Sequence, residues 1–174
     1  MKKRDIRNTM MKIEEEVKKI ADSLMGIDPS SGYPFGIHAC TEYPAIPTHT
    51  HGLTEVGWPE FIIDPLAFGP KGNAGLINRA YDFFSKPENS EKLKAILKGE
   101  TVKLTGLELR PDTGAEDPNT YCFREVPPDF EAVRLAYLVE EMGTDLTGMR
   151  FVQIFVQGDD FALVDAYYRG GVKW

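Results

Sequence analysis

The chain has 174 residues, 42% of them hydrophobic and 27% charged, with a formal net charge of -7 at pH 7. These values predict one globular domain, residues 1–174, with enough apolar side chains to form a core without a metal or disulfides. The acidic balance argues against nucleic-acid binding, which needs a clustered positive surface. No segment reaches the roughly 18 apolar residues of a membrane span.

The first residues lack the pattern of a secretory signal, because Glu14, Glu15 and Glu16 interrupt the stretch that would have to be apolar. The two cysteines, Cys40 and Cys122, are far apart and show no repeated spacing. Free thiols are typical of the reducing cytoplasm, so we expect a cytoplasmic protein with no membrane or nucleic-acid partner.

An amphipathic helix is predicted at the start of the chain, within residues 1–26. Its apolar residues recur at steps of three and four and so lie on one stripe: Met10, Ile13, Val17, Ile20 and Leu24. Gly26 is suited to end this helix. The stripe has to be buried, either on the sheet of the same chain or against a second subunit. In the second case the helix forms a homodimer.

The remaining chain, residues 35–174, predicts an α+β body. Turn residues and apolar patterns predict strands at 35–42, 48–53, 60–64, 121–126, 150–157 and 161–168, and helices at 73–85, 90–98 and 129–141. Residues 158–160 should join the last two strands as a hairpin. Because the strands follow one another without regular βαβ alternation, we expect a largely antiparallel sheet with helices packed mainly on one side.

The segment 101–109 changes phase within a predicted strand. Val102 and Leu104 share one face, whereas Leu107 and Leu109 fall on the other. Gly106 lies at the change, which predicts a bulge or bend at that residue.

Four side chains in the central stretch could bind a metal ion. His38 and Cys40 are two residues apart, as are His49 and His51, so each pair points to one face of its strand. If the two strands are antiparallel neighbours, the four side chains converge. Imidazole and thiolate ligands suit zinc, which is the candidate cofactor. The hypothesis requires ring nitrogens within about 6 Å of one another, since zinc–nitrogen bonds measure about 2.0–2.1 Å.

The same residues allow two other interpretations. Cys40 and a neighbouring histidine could act as a thiolate and a base, which would make the protein a hydrolase. The histidines could also pack or hydrogen-bond without any catalytic role, because a one-residue slip of strand register turns a pair away. Glu60, at the start of a strand, could act as a general base or could satisfy local backbone donors.

Three segments carry a resemblance to a known family. They are Gly36-Ile37-His38, then Thr50-His51-Gly52-Leu53, then Gly57-Trp58-Pro59-Glu60 followed by an apolar strand; Leu76-Ile77-Asn78 continues the match. This pattern resembles the bacterial family called domain of unknown function 4262. The resemblance implies a bacterial protein and a fold, but no activity.

The chain departs from this family at two positions. His49 stands where the family usually has an aromatic residue, and Trp58 stands where it usually has histidine. Thr50 matches the family, and strand alternation should point it to the face opposite His49 and His51.

The sequence therefore favours a binding or protein-interaction module of unknown biochemical role. Its ligand would be a small molecule or a protein, and the candidate binding residues lie around two turns: Thr50, Gly52, Trp58 and Glu60. The alternative is a metal-dependent or Cys/His-dependent hydrolase that uses His38, Cys40, His49 and His51.

Overall fold

The computed structural model describes residues 32–38, 47–63, 67–110, 117–138 and 146–158, together with 166 and 169. Three expectations lie outside these residues: the amphipathic helix within 1–26, with the homodimer it would form; the position of Cys40; and the strand at 161–168, apart from residue 166.

The described residues form one six-stranded sheet. Its strands are β1 (Gly36–His38), β2 (Thr48–His51), β3 (Glu60–Ile63), β4 (Val102–Thr105), β5 (Thr120–Val126) and β6 (Phe151–Val156), and they lie in the order β1-β2-β3-β6-β5-β4. Neighbouring strands pair antiparallel except for β3 and β6, which are parallel. The α+β class is confirmed, and the sheet is mixed rather than purely antiparallel.

Four helices accompany the sheet in the described part of the chain: α1 (Gly69–Phe84), α2 (Ser90–Ile96), α3 (Gly106–Leu109) and α4 (Glu131–Leu138). Two short 3₁₀ turns, Thr54–Val56 and Pro87–Asn89, lie in the connections. The first helix starts four residues earlier than predicted, because Pro70 occupies its first turn, where a missing backbone N–H costs nothing.

The helices cover both faces of the sheet. The main core packs α1 on one face, where its buried residues, among them Ile77 and Phe84, contact Phe61 and Phe123. A second, smaller core lies on the opposite face, where Ala132, Val133 and Ala136 of α4 pack with Ile62 and Phe151. Alternation along each strand produces this division, since Phe61 and Ile62 point to opposite sides. The helix α4 therefore forms a third layer, whereas the sequence predicted helices mainly on one side of the sheet.

The prediction of a bulge or bend within a strand at Gly106 is wrong. The strand β4 ends at Thr105 and the helix α3 begins at once, so the change of phase marks a switch from strand to helix. A capping box stabilises this start: the Thr105 hydroxyl accepts from the Glu108 amide, and the Glu108 carboxylate accepts from the Thr105 amide.

The predicted C-terminal hairpin is also wrong. The strand β6 pairs with β3 along one edge and with β5 along the other, so neither edge is left for a strand at 161–168. Ala166, the residue of that segment which the structure describes, is helical. The hairpin prediction assumes that strands adjacent in sequence are also adjacent in the sheet. The neighbours of β6 are instead β3 and β5.

Within the described residues, no helix combines the length and the apolar character needed to cross a membrane.

Candidate metal centre

Strand pairing places all three histidines of the chain on one face of the sheet. His38 on β1 is the direct cross-strand partner of His49 on β2. His51 follows two residues later on β2 and so shares the face of His49. Along the other edge of β2, His49 pairs with Ile62 of β3, which belongs to the smaller core beneath α4. The histidines therefore lie at the edge of that core.

Thr50 points the other way, as the sequence predicted. Its cross-strand partner is Ile37, which packs against the main core.

The ring nitrogens of His38, His49 and His51 converge. One nitrogen from each ring can be chosen so that all three lie within 4.8 Å of one another. Nε2 of His49 and Nε2 of His51 are 3.1 Å apart and form a hydrogen bond. Tetrahedral zinc with bonds of about 2.0–2.1 Å places its ligand nitrogens roughly 3.3 Å apart, so one edge of such a site already has the right length.

A backbone carbonyl orients the central ring. Nδ1 of His49 lies 2.8 Å from the carbonyl oxygen of Pro47. A carbonyl can only accept a hydrogen bond, so Nδ1 carries the proton and Nε2 presents its lone pair toward His51. Metal-binding histidines are commonly held in this way, with the second ring nitrogen donating to a carbonyl or a carboxylate.

Burial favours the neutral form of two of these imidazoles, those of His49 and His38. His49 is fully buried, and desolvation lowers its pKa from 6.5 to about 3, with smaller contributions from the neighbouring His51 and His38. Desolvation also lowers the pKa of His38. Neutral imidazole is the form that binds metal ions, so these two ligands need no deprotonation at neutral pH.

Solvent reaches the cluster from one side. His49 has no exposed surface, whereas His38 and His51 are half-buried. An ion held by the three rings would therefore have a buried ligand on one side and access to water on the other. Cys40, the fourth predicted ligand, lies outside the described residues.

The four predicted binding residues do not share one face of the sheet: Thr50 faces the main core, whereas Glu60 pairs with Phe151 of the smaller core. Thr50 and Glu60 are buried, and the Thr50 hydroxyl donates to Oε2 of Glu60 at 2.6 Å while accepting from the Phe61 amide. Oε1 of Glu60 accepts from the Thr54 amide. These contacts match one of the two roles predicted for Glu60, in which its carboxylate accepts hydrogen bonds from local backbone donors. Burial raises the pKa of its carboxyl group.

The turn next to Glu60 combines a strained backbone position with an aromatic contact. Gly52 has φ +97°, a conformation that side-chain-bearing residues rarely adopt, and a Cβ atom at this position would lie 3.5 Å from the Pro34 carbonyl oxygen. Trp58 is half-buried and packs on Tyr81, with ring centroids 5.1 Å apart. The binding role predicted for the four residues stays a prediction.

Two further side chains share the histidine face and did not figure in the sequence analysis. Gln153 on β6 is the direct partner of Ile62, and Arg124 on β5 is the direct partner of Gln153. One signal could have drawn attention to Gln153, because it is the single polar residue in the apolar run FVQIFV of its strand.

Comparison with known proteins returned no family model, no curated protein and no solved structure that matches this chain. The resemblance to domain of unknown function 4262 thus stays a prediction that rests on the residues quoted above. The function has to be argued from the site itself.

Proposed function

We propose that the protein binds a divalent transition-metal ion, with zinc as the first candidate, through His38, His49 and His51. The observation that carries this proposal is the convergence of three ring nitrogens within 4.8 Å on the face of two paired strands. Burial holds the rings of His38 and His49 in neutral form, and a carbonyl fixes the tautomer of His49 so that Nε2 faces the cluster. Imidazole nitrogen is a preferred ligand of zinc, copper and nickel.

The reaction class that this donor set suits best is metal-assisted hydrolysis. Catalytic zinc sites have three protein ligands and one exchangeable position, where the ion lowers the pKa of a bound water molecule. The half-buried rings of His38 and His51 leave that side open to solvent. The chain's own contribution is to bring the three rings together, to keep those of His38 and His49 unprotonated, and to hold His49 against the Pro47 carbonyl.

Elemental analysis of protein purified without a histidine tag tests the metal proposal. We expect close to one metal ion per chain, and loss of that metal in His49→Gln. The matched control is Glu88→Gln, which removes an exposed acidic group remote from the site. The proposal fails if the wild-type protein contains no metal and takes up neither zinc nor cobalt after chelator treatment.

Thermal unfolding gives a second measurement. A ligand at about 100 times its dissociation constant stabilises the native state by about 2.7 kcal/mol. For a chain of this length that corresponds to a rise in Tm of about 5–10 °C. Zinc should produce this rise in the wild-type protein and in Glu88→Gln, but not in His49→Gln.

Cys40 is the predicted fourth ligand, and its role has its own test. A thiolate ligand gives a cobalt-loaded site a sulfur-to-metal charge-transfer band. If Cys40 binds the ion, this band is present in the wild-type protein and absent in Cys40→Ser. If both spectra are the same and lack the band, the three histidines leave the fourth position exchangeable, as hydrolysis requires.

A protein-interaction module is the second candidate function. The observation that favours it is the exposed side chain of Val56, which keeps 54% of its surface in solvent beside the half-buried Trp58. A second copy of the chain is the simplest partner to test. Sedimentation at increasing concentration should show self-association that Val56→Asp weakens. Leu107→Asp is the matched control, because Leu107 is exposed to 59% on α3; equal effects of both variants would contradict a specific surface.

A further inference from the structure

The start of β2 is held from the face opposite the histidines. Strand alternation turns the side chain of Thr48 away from that of His49. Thr48 pairs with Ile63 of the main core, whereas the pairing of His49 is with the smaller core. Thr48 is buried, with 3% of its surface exposed. A residue that binds the Thr48 side chain therefore holds β2 directly beside a proposed metal ligand, but from the other face of the sheet.

Asn73, near the start of α1, makes a contact of this kind. It is fully buried. Its Oδ1 accepts a hydrogen bond of 3.1 Å from the Phe68 amide, and its Nδ2 donates to the Thr48 hydroxyl at 3.2 Å. A backbone amide can only donate, so the side-chain oxygen must face Phe68 and the NH₂ group must face Thr48. Asn73 thus joins the start of α1 to the start of β2.

The peptide group between Pro47 and Thr48 carries this constraint to the candidate metal centre. Its carbonyl oxygen accepts from Nδ1 of His49 at 2.8 Å and so orients the ring. A peptide group is planar, so the Cα atom of Thr48 lies in the same plane as that carbonyl. At the other end of the group, the proline ring restricts φ of Pro47. The direction of the carbonyl therefore depends on the position in which Thr48 is held.

The orientation of a ligating ring affects how tightly a metal ion is bound. Loss of the group that accepts from the second ring nitrogen of a ligating histidine typically lowers metal affinity 10–100-fold. For His49 that group is the Pro47 carbonyl, which belongs to the backbone and cannot be removed by substituting a side chain. The hydrogen bond between Asn73 and Thr48, which holds the same peptide group, can be removed in this way.

We infer that Asn73 is a positioning residue of the metal centre, which acts through its hydrogen bond to Thr48 and the peptide group that orients His49. The inference rests on the proposed function and adds to it a residue from outside the histidine cluster. Because Asn73 lies on the opposite face of the sheet, it acts on the ligand through the backbone of β2. The metal affinity should therefore depend on how the start of α1 is attached to the sheet.

The test compares the full-length wild-type protein with Thr48→Val, each treated with chelator and then loaded with cobalt. Valine is similar in shape to threonine and suits a strand, but it cannot accept a hydrogen bond from Asn73. We expect the cobalt dissociation constant, measured by competition with a chelator, to rise by about tenfold or more. Thr48→Ser keeps the hydroxyl and should bind cobalt as the wild-type protein does.

A second readout needs no metal. The Nδ1 proton of His49 is buried in its hydrogen bond to the Pro47 carbonyl, so it should give a downfield proton NMR signal in the metal-free protein. In Thr48→Val this signal should move upfield, because the hydrogen bond lengthens. A general loss of stability does not move the signal while the protein stays folded.

Two further variants identify the hydrogen bond as the cause. Asn73→Ala should weaken cobalt binding as Thr48→Val does, and the double variant should lose no more than either one, because both substitutions remove the same bond. Asn89→Ala is the matched control. It removes a side-chain amide at the other end of α1, where Asn89 donates to the Phe83 carbonyl, and it should change neither readout.

The results that would overturn the inference are distinguishable. If Thr48→Val binds cobalt as tightly as the wild-type protein, Asn73 does not position the site, whatever the NMR signal does. If Thr48→Ser or Asn89→Ala loses as much affinity as Thr48→Val, the hydrogen bond to Asn73 is not the cause. If the wild-type protein takes up no cobalt, the proposed function fails and the inference fails with it, and this is seen before any variant is compared.

Discussion

The low pKa of His49 makes the metal-free protein sensitive to acid. The imidazole is fully buried, and its pKa falls from 6.5 to about 3 through desolvation and the neighbouring rings. The unfolded chain binds a proton on this residue below pH 6.5, whereas the native protein binds it only near pH 3. Stability is therefore complete above pH 6.5 and declines as the pH falls through this window.

The size of the effect follows from the separation of the two pKa values. The full difference of about 3.5 units corresponds to about 5 kcal/mol, which approaches the whole stability of a typical domain. Linkage gives a loss of about 1.4 kcal/mol at pH 5.5 and about 2.7 kcal/mol at pH 4.5. Glu60 acts in the opposite sense, because its raised pKa makes the native carboxyl group bind a proton more readily than the unfolded one.

Urea unfolding in the presence of a chelator, at pH 7.5, 5.5 and 4.5, measures this loss. The difference in the free energy of unfolding between wild-type protein and His49→Gln isolates the contribution of His49, since Glu60 and the surface carboxylates titrate in both proteins. Relative to its value at pH 7.5, we expect this difference to shrink by about 1.4 kcal/mol at pH 5.5 and by about 2.7 kcal/mol at pH 4.5. A difference that stays constant within about 0.5 kcal/mol over this range would refute a buried, neutral His49.

Two further predictions concern stability. Thr50→Val removes a hydroxyl that donates to Glu60 and accepts from the Phe61 amide, and the loss of both bonds in a buried site should cost about 2–4 kcal/mol in urea unfolding. Gly106→Ala places a Cβ atom 2.2 Å from Cβ of Asp117 and 2.6 Å from its carbonyl oxygen. Because this contact forces the backbone apart, thermal unfolding should show a loss of about 1–3 kcal/mol.

Each of these predictions has a conservative counterpart. Thr50→Ser keeps the hydroxyl and should retain most of the stability that Thr50→Val loses; equal losses would show that packing, not hydrogen bonding, dominates there. Gly75→Ala, inside α1, meets its nearest atom only at 4.0 Å, and helix propensity predicts a gain of up to about 1 kcal/mol. A Gly106→Ala protein as stable as Gly75→Ala would contradict the close approach of Asp117.

Local patterns predicted the elements whose shape depends on nearby residues. The inward side of α1 was predicted from helical spacing, and Leu76, Ile77, Ala80, Phe83 and Phe84 are all buried. The same holds for β2, where alternation alone places His49 and His51 on one face and Thr50 on the other. These outcomes follow from periods of 3.6 and 2, which the backbone imposes within a single element.

Two errors arose where local pattern and tertiary arrangement diverge. The phase change at Gly106 predicts a bulge or bend within a strand, whereas the strand ends there and the helix α3 begins. The hairpin after β6 was predicted from the turn residues that follow the strand, yet β3 and β5 occupy both edges of β6. A strand's partners depend on the whole sheet, and no window of neighbouring residues contains that information.

The sequence by itself determined that His49 and His51 share a face, because alternation is a property of one strand. Only the tertiary structure decided that His38 joins them, since that depends on the register that sets His38 opposite His49. It likewise decided that Gln153, about a hundred residues further along the chain, lies on the same face of the sheet through the parallel pairing of β3 with β6. Register is set by the balance of all cross-strand contacts, and a slip of one residue would have turned these side chains to the opposite face.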